Sequence, residues 1–167
     1  MNVDVRMATP QDEGAICRLL DEQNAHHAEL LPSFFRLTET RSVRVSNVFE
    51  NPSAVFLVAE LQSEVVGLAE LHLTQTKDLP ILVQKSYVHI GELIVAEAHR
   101  SRGVGHALMD AARDWAGECR ATSLRTSVVP VNEGARRFYA REGFDDIMVS
   151  IESSVEDRIS REERKDA

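Results

Sequence analysis

The stretch from His89 to Leu108, HIGELIVAEAHRSRGVGHAL, restricts what this chain can fold into more than any other. An apolar run (Ile90, Leu93, Ile94, Val95) gives way to a polar turn and to Arg100-Ser101-Arg102-Gly103-Val104-Gly105. Ala107, Leu108, Ala111, Ala112 and Trp115 then recur at helical period. The order is strand, glycine turn, helix. The first turn of a helix leaves backbone N–H groups without intrahelical acceptors, and the aligned peptide dipoles put partial positive charge there. An anion suits that position. Glycines at 103 and 105 remove β-carbons that would hold a phosphate oxygen away, and Arg100 and Arg102 add charge able to screen a pyrophosphate. The pattern predicts a phosphate cradle.

Two other phosphate motifs compete with this reading, and both fail. A P-loop needs Gly-Lys-Ser/Thr after the glycines, and none follows. The dinucleotide fingerprint needs a third glycine where Leu108 stands. The cradle also falls past the middle of the chain, after several strand-like runs, whereas a dinucleotide fold opens with its fingerprint.

Around the cradle the chain reads as one α/β domain over residues 1–154 with a charged tail at 155–167. Val3, Val5 and Met7 alternate as a short opening strand. Thr9-Pro10 starts a helix, with Thr9 as cap and Asp12 and Glu13 complementing the dipole, running to about Asn24. The looser segment from Ala25 to Val48 holds a second amphipathic stretch around Val43 and Val48. Ala54–Glu60 and Val65–Leu73 form a hairpin around Leu61-Gln62-Ser63-Glu64, with Glu70 and His72 on one face of its second strand. A loop at 74–85 leads to a strand at 86–95, and the cradle helix ends near Glu118. Ser123–Val129 is another strand. Asn132 caps a short helix that Gly143 stops, and Phe144–Ile151 closes the sheet.

Composition narrows the partners. At 167 residues with a formal net charge of −8, the chain is a poor nucleic-acid surface and leans toward cationic substrates, an acidic coat for solubility being the alternative. Cys17 and Cys119 both fall on helix patterns and read as half-buried thiols in a reducing compartment. An acidic N-terminus with a proline lacks the apolar core of a signal peptide, and no run reaches membrane-spanning length. A cytoplasmic protein with no membrane partner is expected. The histidines are scattered and no spacing matches a metal site.

Val95 followed by the turn and Arg100-x-x-Gly103-x-Gly105, then Asn132, Arg137-Phe138-Tyr139 and Gly143-Phe144, resembles the GNAT superfamily of N-acetyltransferases. The resemblance implies a mixed, mostly antiparallel sheet of six to seven strands flanked by about four helices, splayed between the two central strands after Val95. It implies acetyl-CoA as cosubstrate. Leu93, Ile94 and Val95 would hold the thioester arm, Arg100, Arg102, Gly103, Val104, Gly105 and His106 the pyrophosphate, and Asn132 the pantetheine. The second helical segment and its loops would line the acceptor side, making His26, His27, Phe34 and Phe35, with His72 and His89, candidate substrate contacts. A homodimer is a further possibility in proteins of this kind.

Acyl transfer to an amine needs a neutral amine, a polarised carbonyl and a protonated leaving thiolate. Tyr139 matches the family position whose phenol lies near the sulfur, and a phenol with an ordinary pKa of about 10 keeps its proton to donate. Glu92 is the expected base. His89 on the same strand rivals it, and His72 and Glu70 are weaker rivals. The expected activity is N-acetyl transfer to a primary amine of a small molecule or protein. The alternative from another class is an acyl-CoA-binding sensor or scaffold without turnover.

Overall fold

The computed structural model describes residues 3–153; the charged tail expected at 155–167 lies outside them. Strands β1 (Asp4–Met7), β2 (Ala54–Leu61), β3 (Glu64–Gln75), β4 (Ser86–Val95) and β5 (Leu124–Arg125) lie in sheet order 1-2-3-4-5. Every pairing is antiparallel except β4–β5, which is parallel. Helices α1 (Glu13–Leu30) and α2 (Ser42–Phe49) cover one face, and α3 (Val104–Glu118) covers the other. The helix α4 (Glu133–Arg141) follows β5.

Alternation along the strands builds two aliphatic cores. Leu57, Ala59, Val66, Ala69, Leu71, Val88 and Ile90 point to α3, where Val104, Leu108, Met109 and Ala112 meet them. Phe56, Val58, Leu68 and Ile94 point the other way, against Ile16, Leu19 and Leu20 of α1 and Val45 and Val48 of α2. The β2–β3 hairpin turns through Gln62 and Ser63, both at positive φ, the geometry whose twist suits a two-residue connection.

β4 does not keep its alternation. Glu70 faces Glu92 across the ladder while the next residue, Leu71, faces Ile90, so Gly91 is an extra residue bulged out of β4. Val88 and Ile90 face α3, but beyond the bulge Glu92 and Ile94 face α1 and α2. One inserted residue has exchanged the two faces.

Three expectations are corrected. First, the described residues form five strands, not six to seven. The segment Phe144–Ile151 is not a strand: Asp146 pairs with Arg136 of α4 at 3.0 Å, and Ile147, Met148, Val149 and Ile151 are exposed. Second, the strand expected over Ser123–Val129 pairs only at Leu124 and Arg125, and the central strands part from Ile90 rather than after Val95. The Thr126 hydroxyl donates to the Ile90 carbonyl at 3.1 Å, a side chain taking the acceptor that a continuing ladder would use. Third, α1 runs six residues past Asn24, to Leu30. Its added turns are held by their own loop, Asp21 accepting from the Thr40 amide at 2.6 Å and His27 stacking on Phe35 at 4.9 Å.

The opening strand is tied to the start of α1 by charge. Arg6 donates to both Asp12 oxygens, at 2.8 and 2.9 Å, and pairs with Glu60 on β2. Asp12 also accepts from the Thr9 amide at 2.7 Å, closing the turn at Pro10–Asp12 that precedes the helix. The Arg6 guanidinium holds the Asp12 carboxyl well below the ordinary carboxylate range.

Candidate active site

At the cradle the backbone is unusual at two points. Ser101 and Gly103 both take positive φ, 61° and 83°, and Gly103 then caps α3. A β-carbon at Gly103 would meet nothing within 4 Å. The turn therefore presents open space in front of the amides of Val104, Gly105 and His106, none of which has an intrahelical acceptor. Gly105 is different: a β-carbon there would lie 3.1 Å from the Phe138 ring of α4. Its missing side chain makes room for helix–helix packing, and only its amide belongs to the turn.

The side chains of the cradle are largely committed elsewhere. Arg100 donates through Nε to the Val95 carbonyl at 3.2 Å and lies 3.5 Å from Glu22 of α1. Val104 and Ile94 are buried in the two cores, while Leu93 and Val95 pack against the α3 side. Arg102 is exposed. His106 turns toward Glu142 at 2.9 Å and Asp110 at 3.3 Å, which holds its imidazole above the ordinary histidine pKa. These three could converge on a cation, a grouping that sequence spacing did not suggest, but Arg113 already pairs with Glu142 at 2.9 Å and Asp110 at 2.7 Å. The Asn132 side chain caps α4 by accepting from the Ala135 amide at 3.0 Å.

On the α1–α2 face, β3 and β4 bring four ionisable residues together in two opposed pairs, His72 with His89 and Glu70 with Glu92. Only the bulge at Gly91 allows this, since His89 and Glu92 would face opposite sides of a regular strand. His72 Nε2 lies 2.7 Å from Glu70 Oε1. Arg44 of α2 reaches over the carboxylates: its Nη2 donates to Glu92 Oε1 at 3.1 Å and lies 2.9 Å from Glu70 Oε2. Burial pushes the Glu92 carboxyl up to about 7, with Glu70 adding to the rise and Arg44 opposing it. Burial lowers the affinity of His89 for a proton, and His72 adds to that effect.

Tyr139 of α4 packs edge-on between Phe138 (5.3 Å) and Phe144 (5.2 Å). Burial raises its phenol above the ordinary value; the Thr126 hydroxyl opposes this, and the negative charge of Glu92 reinforces it. Thr126 thus serves both the parted strands and the phenol.

The remaining expected contacts, His26, His27, Phe34 and Phe35, form a separate aromatic group at the end of α1 and in the loop after it. Phe34 is 71% exposed, so this group offers an apolar surface rather than a closed pocket. A hollow of 460 Å³ lined by Arg18, Glu22, Glu64 and Ala96–His99 opens at the end of β4 and shares no residue with the Glu92–Tyr139 pair. Sequence reasoning missed Arg44, which flanks the buried Val45–Val48 stripe of α2, and Thr126. The glycine at 91, inside an otherwise apolar strand, was the available signal for the bulge.

Comparison with known proteins agrees with this fold. The model of the acetyltransferase (GNAT) family matches residues 18–144. An uncharacterized N-acetyltransferase, YhfO, of Bacillus subtilis is 26% identical over 149 residues, covering 86% of this chain and 91% of that protein. An N-alpha-acetyltransferase of Sulfurisphaera tokodaii is 34% identical over 101 residues, 58% of this chain and 59% of its own length. Among solved structures, a tetramutant of the BH1408 protein from Bacillus halodurans superposes with a TM-score of 0.86 at 25% identity, over 91% of this chain and 99% of that one. The aminoglycoside N-acetyltransferase AAC(6')-Iy, solved in complex with CoA, shares the fold, with a TM-score of 0.71 at 14% identity over 92% of this chain and 94% of its own. No helix among the described residues is long and apolar enough to cross a membrane. The chain belongs to the GNAT family of acetyltransferases.

Proposed function

We propose that the protein transfers the acetyl group of acetyl-CoA to a primary amine of a small molecule or protein, with Glu92 as the base and Tyr139 as the acid. The observation that carries this reading is the opposed state of two buried groups at the parted strands. Glu92 has a proton affinity lifted to about 7, so at neutral pH it is divided between carboxylate and acid and is basic enough to accept a proton, whereas Tyr139 is held protonated. The bound thioester would supply the electrophilic carbonyl. Glu92 would take the proton of the incoming amine, and the Tyr139 hydroxyl would hold a proton for the departing thiolate.

The residues present fit such a cosubstrate. The amides of Val104, Gly105 and His106 would take the diphosphate, with the open space over Gly103 admitting it and Arg102 adding charge. The parting of β4 from β5 beyond His89 frees backbone groups of Leu93 and the N–H of Val95, whose carbonyl Arg100 holds, for the amide-bearing arm. Asn132, its oxygen used as a cap, retains an amide N–H₂ for the same arm. Arg100 acts here through the turn it braces rather than through direct contact. On the acceptor side the carboxylates of Glu70 and Glu92 with His72 and His89 favour a cationic amine, and the His27–Phe35 stack offers an apolar wall. Relatives bearing the names N-alpha-acetyltransferase and streptothricin acetyltransferase A support an amine acceptor.

The test is thiol release from acetyl-CoA across a panel of polyamines, aminoglycosides and peptides with free N-termini. Amine-dependent release is expected, with kcat/KM rising as pH increases through about 7, where Glu92 loses its proton. Saturable CoA binding with no turnover on any amine would overturn the enzyme reading in favour of a sensor.

A further inference from the structure

We infer that Arg44 of α2 is a positioning residue for the base: through one nitrogen it joins Glu92 to Glu70, fixing the Glu92 carboxylate and governing how readily it gives up its proton. The inference rests on the reading of Glu92 as the base. The geometry is a chain of four side chains from two strands and a helix, His72 to Glu70 (2.7 Å), Glu70 to Arg44 (2.9 Å) and Arg44 to Glu92 (3.1 Å).

Each link constrains the next. Glu70 retains only 9% of its side-chain surface, and His72 occupies its other oxygen, so it cannot swing away from Arg44. Arg44 holds its Nη2 between the two acids, donating to Glu92 and ion-paired with Glu70, whose Oε2 accepts no hydrogen bond among the described residues. Its Nη1 is buried without an acceptor among the described residues, which leaves Nη2 as the terminal nitrogen that works. Glu70 and Glu92 stand directly opposite on adjacent strands, where like charges repel. One guanidinium offsets that repulsion and gives Glu92 a defined rotamer.

The groups facing Glu92 can be named from each side. Arg44 comes from α2, Glu70 and beyond it His72 from β3, His89 from the same strand across the bulge, and Tyr139 from α4. Of these, Arg44 favours the carboxylate and Glu70 disfavours it. Removing the Arg44 charge must therefore raise the Glu92 midpoint while a charge-retaining replacement spares it, a contrast that general loosening of the fold does not produce.

The experiment titrates the full-length protein by carbon-13 carboxyl NMR, with the Glu92 resonance identified by its loss in Glu92→Gln, and measures the acid limb of kcat/KM alongside. Arg44→Gln and Arg44→Met are each expected to raise both midpoints by about one pH unit. Arg44→Lys, which keeps the charge, should stay near the wild type in the NMR midpoint. If Arg44→Gln does not fold, Arg44→Met, with Arg44→Lys as the charge-retaining control, carries the test, and an unmoved Glu92 midpoint in Arg44→Met overturns the inference. An unmoved midpoint in Arg44→Gln, whatever its activity, overturns it too. An acid limb that persists in Glu92→Gln would instead overturn the assignment of the base, and the NMR midpoints would still report on Arg44.

Discussion

The two faces of the sheet serve the proposed substrates by different means. On the α3 side the features that matter are backbone: a turn with two residues at positive φ, a helix start with free amides, and a strand edge released by its neighbour. On the α1–α2 side they are side chains: two carboxylates, two imidazoles and a guanidinium brought onto one patch. Backbone recognition suits a partner that is always the same, because it depends on little beyond glycine and helix geometry. Side-chain recognition can change with a single substitution and suits the partner that differs from relative to relative.

The sharpest way to break this contrast is at the base. Glu92→Gln should lower kcat/KM by about a hundredfold or more while leaving the KM for acetyl-CoA unchanged, as steady-state thiol release would show. A raised KM would mean that Glu92 belongs to the cosubstrate face instead. Tyr139→Phe should follow, with kcat reduced roughly tenfold to a hundredfold and CoA affinity spared. Unaltered turnover would leave the acid to be sought elsewhere.

The two cradle glycines separate backbone recognition from packing. Gly103→Val forces a β-branched residue into a left-handed cap, at a cost of about 1–2 kcal/mol, and fills the open space, so the KM for acetyl-CoA should rise. Gly105→Val drives a side chain into Phe138, and the expected loss is about 1–3 kcal/mol of stability, read as a fall in Tm. Equal effects of the two on KM, with Tm unchanged, would contradict the distinction. The smallest expected effect lies far from both faces' chemistry. Asp12→Ala should cost about 1 kcal/mol by removing the carboxylate that accepts from Arg6 and from the Thr9 amide, and leave kinetics intact. The stability contributed by the depressed Asp12 carboxyl is present above its ordinary titration range and is lost as pH falls toward its folded value, so the variant should show a shallower acid loss of Tm.

The same contrast explains what could be read from the chain. The cradle was legible because Arg100-x-x-Gly103-x-Gly105 encodes a local conformation, and local conformation follows from adjacent residues. The hairpin at Gln62-Ser63, the cap at Asn132 and the stop at Gly143 were legible for the same reason. Arg44 was not, because its partners lie 26 and 48 residues away and nothing in SVRVSNVF says which carboxylates it will meet. Gly105 was assigned to phosphate on spacing alone, and only the packing of α4 shows what fills the space above it. The strand expected at 144–151 failed on similar grounds. Its apolar composition suits a strand, but a strand also needs a neighbour, and the Thr126 hydroxyl has already taken the Ile90 carbonyl and ended the β5 ladder.

The bulge at Gly91 has a consequence for how such a site could change. Gly91 is the unpaired residue, so excising it would leave Ile90 and Glu92 as neighbours on the faces they now hold, whereas flattening the bulge with Gly91 retained would turn the acid into the aliphatic layer beneath α3 and bring Leu93 out toward Arg44. The identity of the base is thus written in how the strand pairs as much as in a letter. A relative that regularised this strand without shortening it would present a different side chain to the acceptor, with no catalytic side chain replaced.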